Sequence, residues 1–232
     1  MSATELFIAL FRAVKIKDFR WWPGFGCFEV VVGAILIQNT AWCNADAALQ
    51  NLRSKGLLSL ESIAGLDEAE LAKIIKVSGF YNQKARRLSL LCKAMIADFG
   101  DFESFKSGVS REWLLARKGL GAESCDAILC YACERAVMVA DSYSARLLRA
   151  LGYEFESYDE LSAWLSELEF ERIYKLVNST NSPCNAAAKA DKLENENGVY
   201  ALFNGLIVEF CKAHLKGKIF DESAKIILND LR

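Results

Sequence analysis

Apolar residues recur at helical spacing along almost the whole chain. Leu6, Ile8, Ala9, Leu10, Phe11 and Val14 fall on one face of an amphipathic helix. Residues 27–38 are apolar nearly all round, which predicts a buried helix. A further helix covers Ala45 to Leu52, with Gly56 as its C-cap. Asp67 opens another that runs through Ile75 and ends at Ser78-Gly79. Between 82 and 98, Ala85, Leu88, Leu91, Ala94, Met95 and Ile96 repeat at i, i+3 and i+4. Ser110 is placed as an N-cap, and Ser157-Tyr-Asp-Glu160 reads as a capping box. No alternating pattern lasts long enough for a strand. The pattern therefore predicts an all-α chain of about ten to twelve helices of ordinary length. Two stretches break it, Asn178 to Pro183 and Glu194 to Gly198, and both read as loops inside a helical domain. An alanine-rich helix is expected after Asn185, and a last helix from Asp221.

Length and composition narrow this reading. A chain of 232 residues suits one large or two small domains, and 53% hydrophobic residues are ample for a core. The longest apolar stretch, Val30 to Ile37, is too short to span a bilayer. The N-terminus lacks the basic region of a secretion signal, so a cytoplasmic protein is expected. The net charge of −2 offers no overall attraction to nucleic acid. Any basic face must come from clustering, and three clusters exist: Lys84, Arg86 and Arg87; Arg111, Arg117 and Lys118; Arg146 and Arg149.

The eight cysteines are expected to be reduced. Cys125, Cys130 and Cys133 have C-x4-C-x2-C spacing, the start of a plant-type ferredoxin motif. They alternate with Ile128, Leu129 and Ala132 on one expected helix, and no fourth ligand follows at suitable spacing. They read as buried core residues, with no metal expected there.

The stretch from Leu114 to Arg146 carries the most chemistry. A helix enters Lys118-Gly119-Leu120-Gly121, a second leaves it past Glu123 and Ser124, and Asp141 follows. The glycines permit positive φ and close backbone approach. The second helix begins directly after them, so its free N–H groups can meet a phosphate. That is a sequence-independent grip on a nucleic-acid backbone, with one carboxylate beyond it.

This layout resembles the helix-hairpin-helix DNA glycosylases of the endonuclease III superfamily, with the motif near 112–136. Further segments carry the likeness: Trp21-Trp22-Pro23, Leu36-Ile37-Gln38-Asn39-Thr40, Ser78-Gly79-Phe80-Tyr81-Asn82-Gln83-Lys84-Ala85 and Arg111-Glu112-Trp113-Leu114-Leu115. Together they look most like the bacterial 3-methyladenine DNA glycosylases. The resemblance implies a six-helix barrel domain over 28–132 and a second helical domain from 1–27 plus 133–232. The active site would lie in a cleft between them. Many relatives carry an iron–sulfur cluster in a C-x6-C-x2-C-x5-C run near the C-terminus. Here that region offers only Cys184 and Cys211, so no cluster is expected. Members of the family often hold a monovalent cation at the hairpin, and the resemblance admits one here.

By the same resemblance, Asp141 is the catalytic residue. Breaking an N-glycosidic bond builds positive charge on the sugar, which a fixed carboxylate stabilises. Read from sequence alone, Asp141 is equally a helix N-cap, and the two roles are compatible. Bifunctional relatives carry a lysine in a G-x-G-x-K pattern that forms a Schiff base. Glu123 stands at that position and cannot form an imine, so lyase activity is not expected. Glu123 suits a first-turn acid that complements the helix dipole.

Trp21, Trp22, Pro23 and Trp42 are the expected base pocket, offering flat surfaces to an extruded and cationic base. Core packing is the competing role for each. Gln38 and Phe80 would enter the duplex, Phe80 as a wedge; a loop anchor in the core is the other reading of Phe80. Lys84, Lys118, Gly119, Gly121 and Ser124 complete the expected DNA-binding set. His214, the lone histidine, is expected at the surface. The implied activity is monofunctional excision of alkylated purines from double-stranded DNA by a monomer. A glycosylase for mismatched or oxidised bases, and a non-catalytic hairpin DNA-binding protein, stay open as alternatives.

Overall fold

The computed structural model describes residues 1–179, 192–217 and 219–229. The chain divides into two compact units, Pro23–Cys133 and the pair of segments Met1–Trp22 and Glu134–Arg232. The helix expected after Asn185 and most of the loop before it lie outside the described residues.

The two-segment unit opens with α1 (Ala3–Ala13). Ser2 starts it with a full capping box: its hydroxyl accepts from the Glu5 N–H, and the Glu5 carboxylate accepts from the Ser2 N–H.

The continuous unit holds α2 (Phe28–Leu36), α3 (Trp42–Ser54), α4 (Leu60–Gly65) and α5 (Glu68–Ile74). A 3-10 turn, Lys76–Ser78, leads into the long α6 (Tyr81–Phe99). The short α7 (Phe102–Gly108), α8 (Arg111–Leu115) and α9 (Ala122–Ala127) follow. Helix α9 then loosens into a π-helical turn, Ile128–Ala132, where the Cys133 N–H reaches the Ile128 carbonyl. Ser59, Asp67, Asp101 and Ser110 each accept an N–H of the helix they precede. Helices α4 and α5 pack on α6, and α2 packs on the π-helical turn. Val30, Ile35, Leu49, Leu71, Leu88, Met95, Phe105 and Tyr131 fill the core between them.

The other unit resumes with α10 (Ser142–Ala150), α11 (Tyr158–Ser166) and α12 (Phe170–Val177). Helix α13 (Glu196–His214) is its centre, with α1, α10 and α12 packed against it. A two-residue β-hairpin, Leu215–Lys216 with Ile219–Phe220, joins it to α14 (Glu222–Asn229). Leu6, Phe7 and Leu10 of α1 meet Phe203, Leu206 and Phe210 of α13 in the core. The Phe7 and Phe203 rings are 5.4 Å apart.

The fold is all-α apart from that hairpin. Several details differ from the sequence reading. The described residues form fourteen α-helices, more than expected, because pieces such as α4, α8 and α9 are too short to show periodicity. Helix α13 begins at Glu196, inside the stretch read as a loop, because Asn195 caps it by accepting from the Gly198 N–H. Ser157 caps α11 as expected, but Glu160 reaches past it to the Glu156 N–H, so the box is not closed. His214 is half-buried rather than at the surface, with Nδ1 3.2 Å from the Asp221 carboxylate and its ring against Phe210.

Candidate active site

Asp141 sits at the N-cap of α10, and both carboxylate oxygens have partners. Oδ1 accepts from the backbone N–H groups of Tyr143 and Ser144, each at 2.9 Å, and from Ser144 Oγ at 3.2 Å. Oδ2 accepts from Asn204 Nδ2 at 3.2 Å. The same Asn204 amide donates to the Val139 carbonyl, which fixes its orientation. Burial pushes the Asp141 carboxyl above the ordinary carboxylate range, and these hydrogen bonds partly oppose the rise. The carboxylate is thus held at one angle in surroundings that strengthen its field.

Helix α13 also seats a tryptophan. Gly205, next to Asn204, leaves room for Trp21, whose Cγ would lie 2.7 Å from a Cβ built at that glycine. The Trp21 indole N–H donates to Glu209 at 3.2 Å. Lys212 pairs with Glu209 at 2.9 Å and lies 5.3 Å from the Trp21 ring centroid. Trp22 stands edge-on to Trp21, with centroids 6.2 Å apart. Consecutive residues of one helix therefore orient the carboxylate and one tryptophan. Sequence reasoning missed Asn204, Gly205 and Glu209. Their signal was a polar residue, a glycine and an acid inside the otherwise apolar run from Val199 to Cys211.

In the continuous unit, α6 gathers three turns. Gln38 donates through Nε2 to the Gly119 carbonyl and to Ser124 Oγ, both at 3.0 Å. Its Oε1 accepts from Arg87 Nη1 at 2.7 Å. Gln38 is thereby engaged with the hairpin in this structure. Lys84 also departs from expectation. It is 1% exposed, and Nζ donates to the Leu36 and Ser78 carbonyls, both at 2.7 Å. A side chain so enclosed cannot neutralise a phosphate.

The Gly-Leu-Gly hairpin uses its glycines differently. Gly119 has φ of +89°, and a Cβ there would collide with the Arg87 side chain. Gly121 has an ordinary φ of −99°, and a Cβ there would meet nothing within 4 Å. The fold needs the first glycine, whereas the second only keeps open space over the start of α9. Leu120 is buried, and Lys118 and Glu123 are exposed. Arg111 is tied to Asp126 at 2.7 Å, and Arg117 lies over the Trp113 ring, so Lys118 is the outward cation of that cluster.

Phe80 is 62% exposed, which sets aside the core-anchor reading. It occupies the left-handed region at φ 45°, directly before α6. Asn39, in the Gln38 turn, has φ of 52°. Non-glycine residues held this way cost about 1–3 kcal/mol each, and such strain gathers at working sites. Trp42 is half-buried as the first residue of α3, and Pro23 is exposed at the start of its unit. Burial raises the Cys125 thiol to about 12, and Cys130 and Cys133 are buried too, as core packing requires.

Comparison with known proteins shows the family and the fold. Residues 32–169 match the family model described as HhH-GPD superfamily base excision DNA repair protein. A protein of Methanocaldococcus jannaschii named "Putative DNA repair glycosylase" is 33% identical over 214 residues, covering 89% of this chain and 86% of that one. The crystal structure of a 3-methyladenine DNA glycosylase of H. pylori, bound to 1,N6-ethenoadenine, superposes with a TM-score of 0.82. It is 39% identical and covers 93% of this chain and all of that one. A non-covalent endonuclease III–DNA complex shares the fold at a TM-score of 0.72 and 14% identity, over 97% of this chain and 91% of that one.

Proposed function

Since the chain belongs to the HhH-GPD superfamily of base excision DNA repair proteins, and is a DNA glycosylase, we propose that it excises alkylated purines, 3-methyladenine foremost, without cleaving the strand. The observation that carries the reading is that one helix, α13, both fixes the Asp141 carboxylate through Asn204 and orients Trp21 through Gly205 and Glu209. Methylation at N3 leaves adenine cationic and weakens its glycosidic bond. The base then departs without a general acid, and the work left to the protein is to bind the base and stabilise the sugar cation.

Trp21 and Trp22 suit the first task, since a cationic base is drawn to an aromatic face. Asp141 suits the second. The likeness to the H. pylori enzyme supports the substrate class. Glu123 at the lysine position supports a monofunctional reaction, because a carboxylate forms no imine with the opened sugar. In this reading Lys118 and the open backbone at Gly121 meet a DNA phosphate, and Phe80 enters the duplex as the damaged nucleotide turns out. The protein acts as a monomer on double-stranded DNA. The reading includes no iron–sulfur cluster, since Cys184 and Cys211 cannot supply four thiolates.

The test uses duplexes carrying single lesions, with released bases separated chromatographically and strands examined for nicks. Free 3-methyladenine, intact strands and no protein–DNA adduct after borohydride support the proposal. Faster release of thymine, uracil or 8-oxoguanine overturns the substrate class. A borohydride-trapped adduct overturns the monofunctional reaction.

A further inference from the structure

Lys84 is the most completely buried basic side chain among the described residues, and the proposed chemistry makes no use of it. It projects from the first turn of α6 into the space between two chain turns. Its Nζ donates to the Leu36 carbonyl, at the end of α2, and to the Ser78 carbonyl, just before Gly79-Phe80. Its backbone N–H donates to the Phe80 carbonyl at 3.0 Å. One residue thus ties the Phe80 loop to the turn that carries Gln38 and Asn39.

Burial and the neighbouring Arg87 both lower the Lys84 pKa. Either protonation state still supplies the two N–H donors that the two carbonyls take. Leucine or methionine would fill the same space but leave the buried Leu36 and Ser78 carbonyls without a donor, so the lysine fastens both turns as well as filling the space. Its particular product is a fixed relation between two turns that each hold a non-glycine residue at positive φ. One turn of α6 further on, Arg87 engages Gln38, so two basic side chains of one helix face fasten the same turn.

We propose that Lys84 is a positioning residue that holds the Phe80 ring in the orientation needed to enter and unstack the duplex. This rests on the reading of Phe80 as a wedge. It does not depend on which base is excised.

The experiment uses a duplex with a tetrahydrofuran abasic analogue flanked by 2-aminopurine, whose fluorescence rises on unstacking. Wild type, Phe80→Ala, Lys84→Met and the double variant are compared for fluorescence and dissociation constant, with Tm measured for each. The wild type is expected to raise fluorescence several-fold. Lys84→Met is expected to lose most of that rise and to bind about tenfold more weakly. Adding Phe80→Ala to Lys84→Met is expected to change nothing further, because both act through one ring.

A folded Lys84→Met that keeps the wild-type signal, or additive losses in the double variant, overturns the positioning role and leaves the wedge standing. A wild-type signal from Phe80→Ala overturns the wedge reading and the proposal together. If Lys84→Met does not fold, Lys84→Gln is the second variant. Its shorter amide reaches one of the two carbonyls, and an intermediate signal is expected. Failure of both to fold assigns Lys84 to stability and overturns the proposal.

Discussion

Asp141 combines two duties that a substitution can separate. Asparagine keeps an oxygen for the Tyr143 and Ser144 N–H groups and caps helices about as well as aspartate. Asp141→Asn should therefore hold stability to within about 1 kcal/mol. The loss of charge should lower the base-release rate by about 10²–10³-fold. Thermal unfolding and single-turnover kinetics on the same sample measure both. The pH profile carries a signed prediction. Activity needs the carboxylate, and burial raises its pKa, so activity should fade with falling pH above the ordinary carboxylate range. The Asn204 amide lowers that pKa. Asn204→Leu should shift the acid limb to higher pH, and an unmoved limb would deny the contact a role in setting the charge. Phe80 offers a third test. Phe80→Gly relieves about 1–2 kcal/mol of left-handed strain and costs about 0.5–1 in unfolded-chain entropy. Tm should hold or rise slightly while unstacking of DNA is lost.

At the level of elements, α13 is the organiser of its unit and was the least legible helix. The use of Asn204, Gly205 and Glu209 could not be read, because their partners lie far away in sequence. Lys84 was misplaced and the tie of Gln38 to the hairpin went unread for the same reason, since a side chain's partner 48 or 81 residues away leaves no local pattern. Caps were legible because a side-chain oxygen meets an N–H two or three residues on. Ser110, Ser157, Asp67 and Asp141 all proved to be caps. Gly119 adopts the positive φ that the hairpin pattern anticipated, whereas Gly121 does not. Gly205→Ala tests the organising role of α13. The new methyl must push Trp21 aside, so the Glu209 bond should break and affinity for methylated DNA should fall about tenfold, as the displaced ring gives up a cation–π contact worth about 1–2 kcal/mol. A change in tryptophan emission would report the displacement, and unaltered emission and affinity would contradict it.

Over the whole molecule, the all-α class was legible because helical periodicity survives through most of the chain. The family was legible because several motifs occur in order. Net charge misled if taken alone, since −2 says nothing of where Lys118 and the hairpin backbone stand. Among the described residues, no helix is long and apolar enough to cross a membrane. One unit fastens its turns to α6, and in the other α13 orients an acid and a tryptophan. The central claim is that Asp141 drives departure of a cationic methylpurine. The direct measurement is single-turnover release of 3-methyladenine from dimethyl-sulfate-treated DNA by wild type and Asp141→Asn. The account predicts rapid release by the wild type, intact strands and a nearly inert, fully folded variant. A variant that releases the base at the wild-type rate, or a folded wild type that releases none, would contradict it.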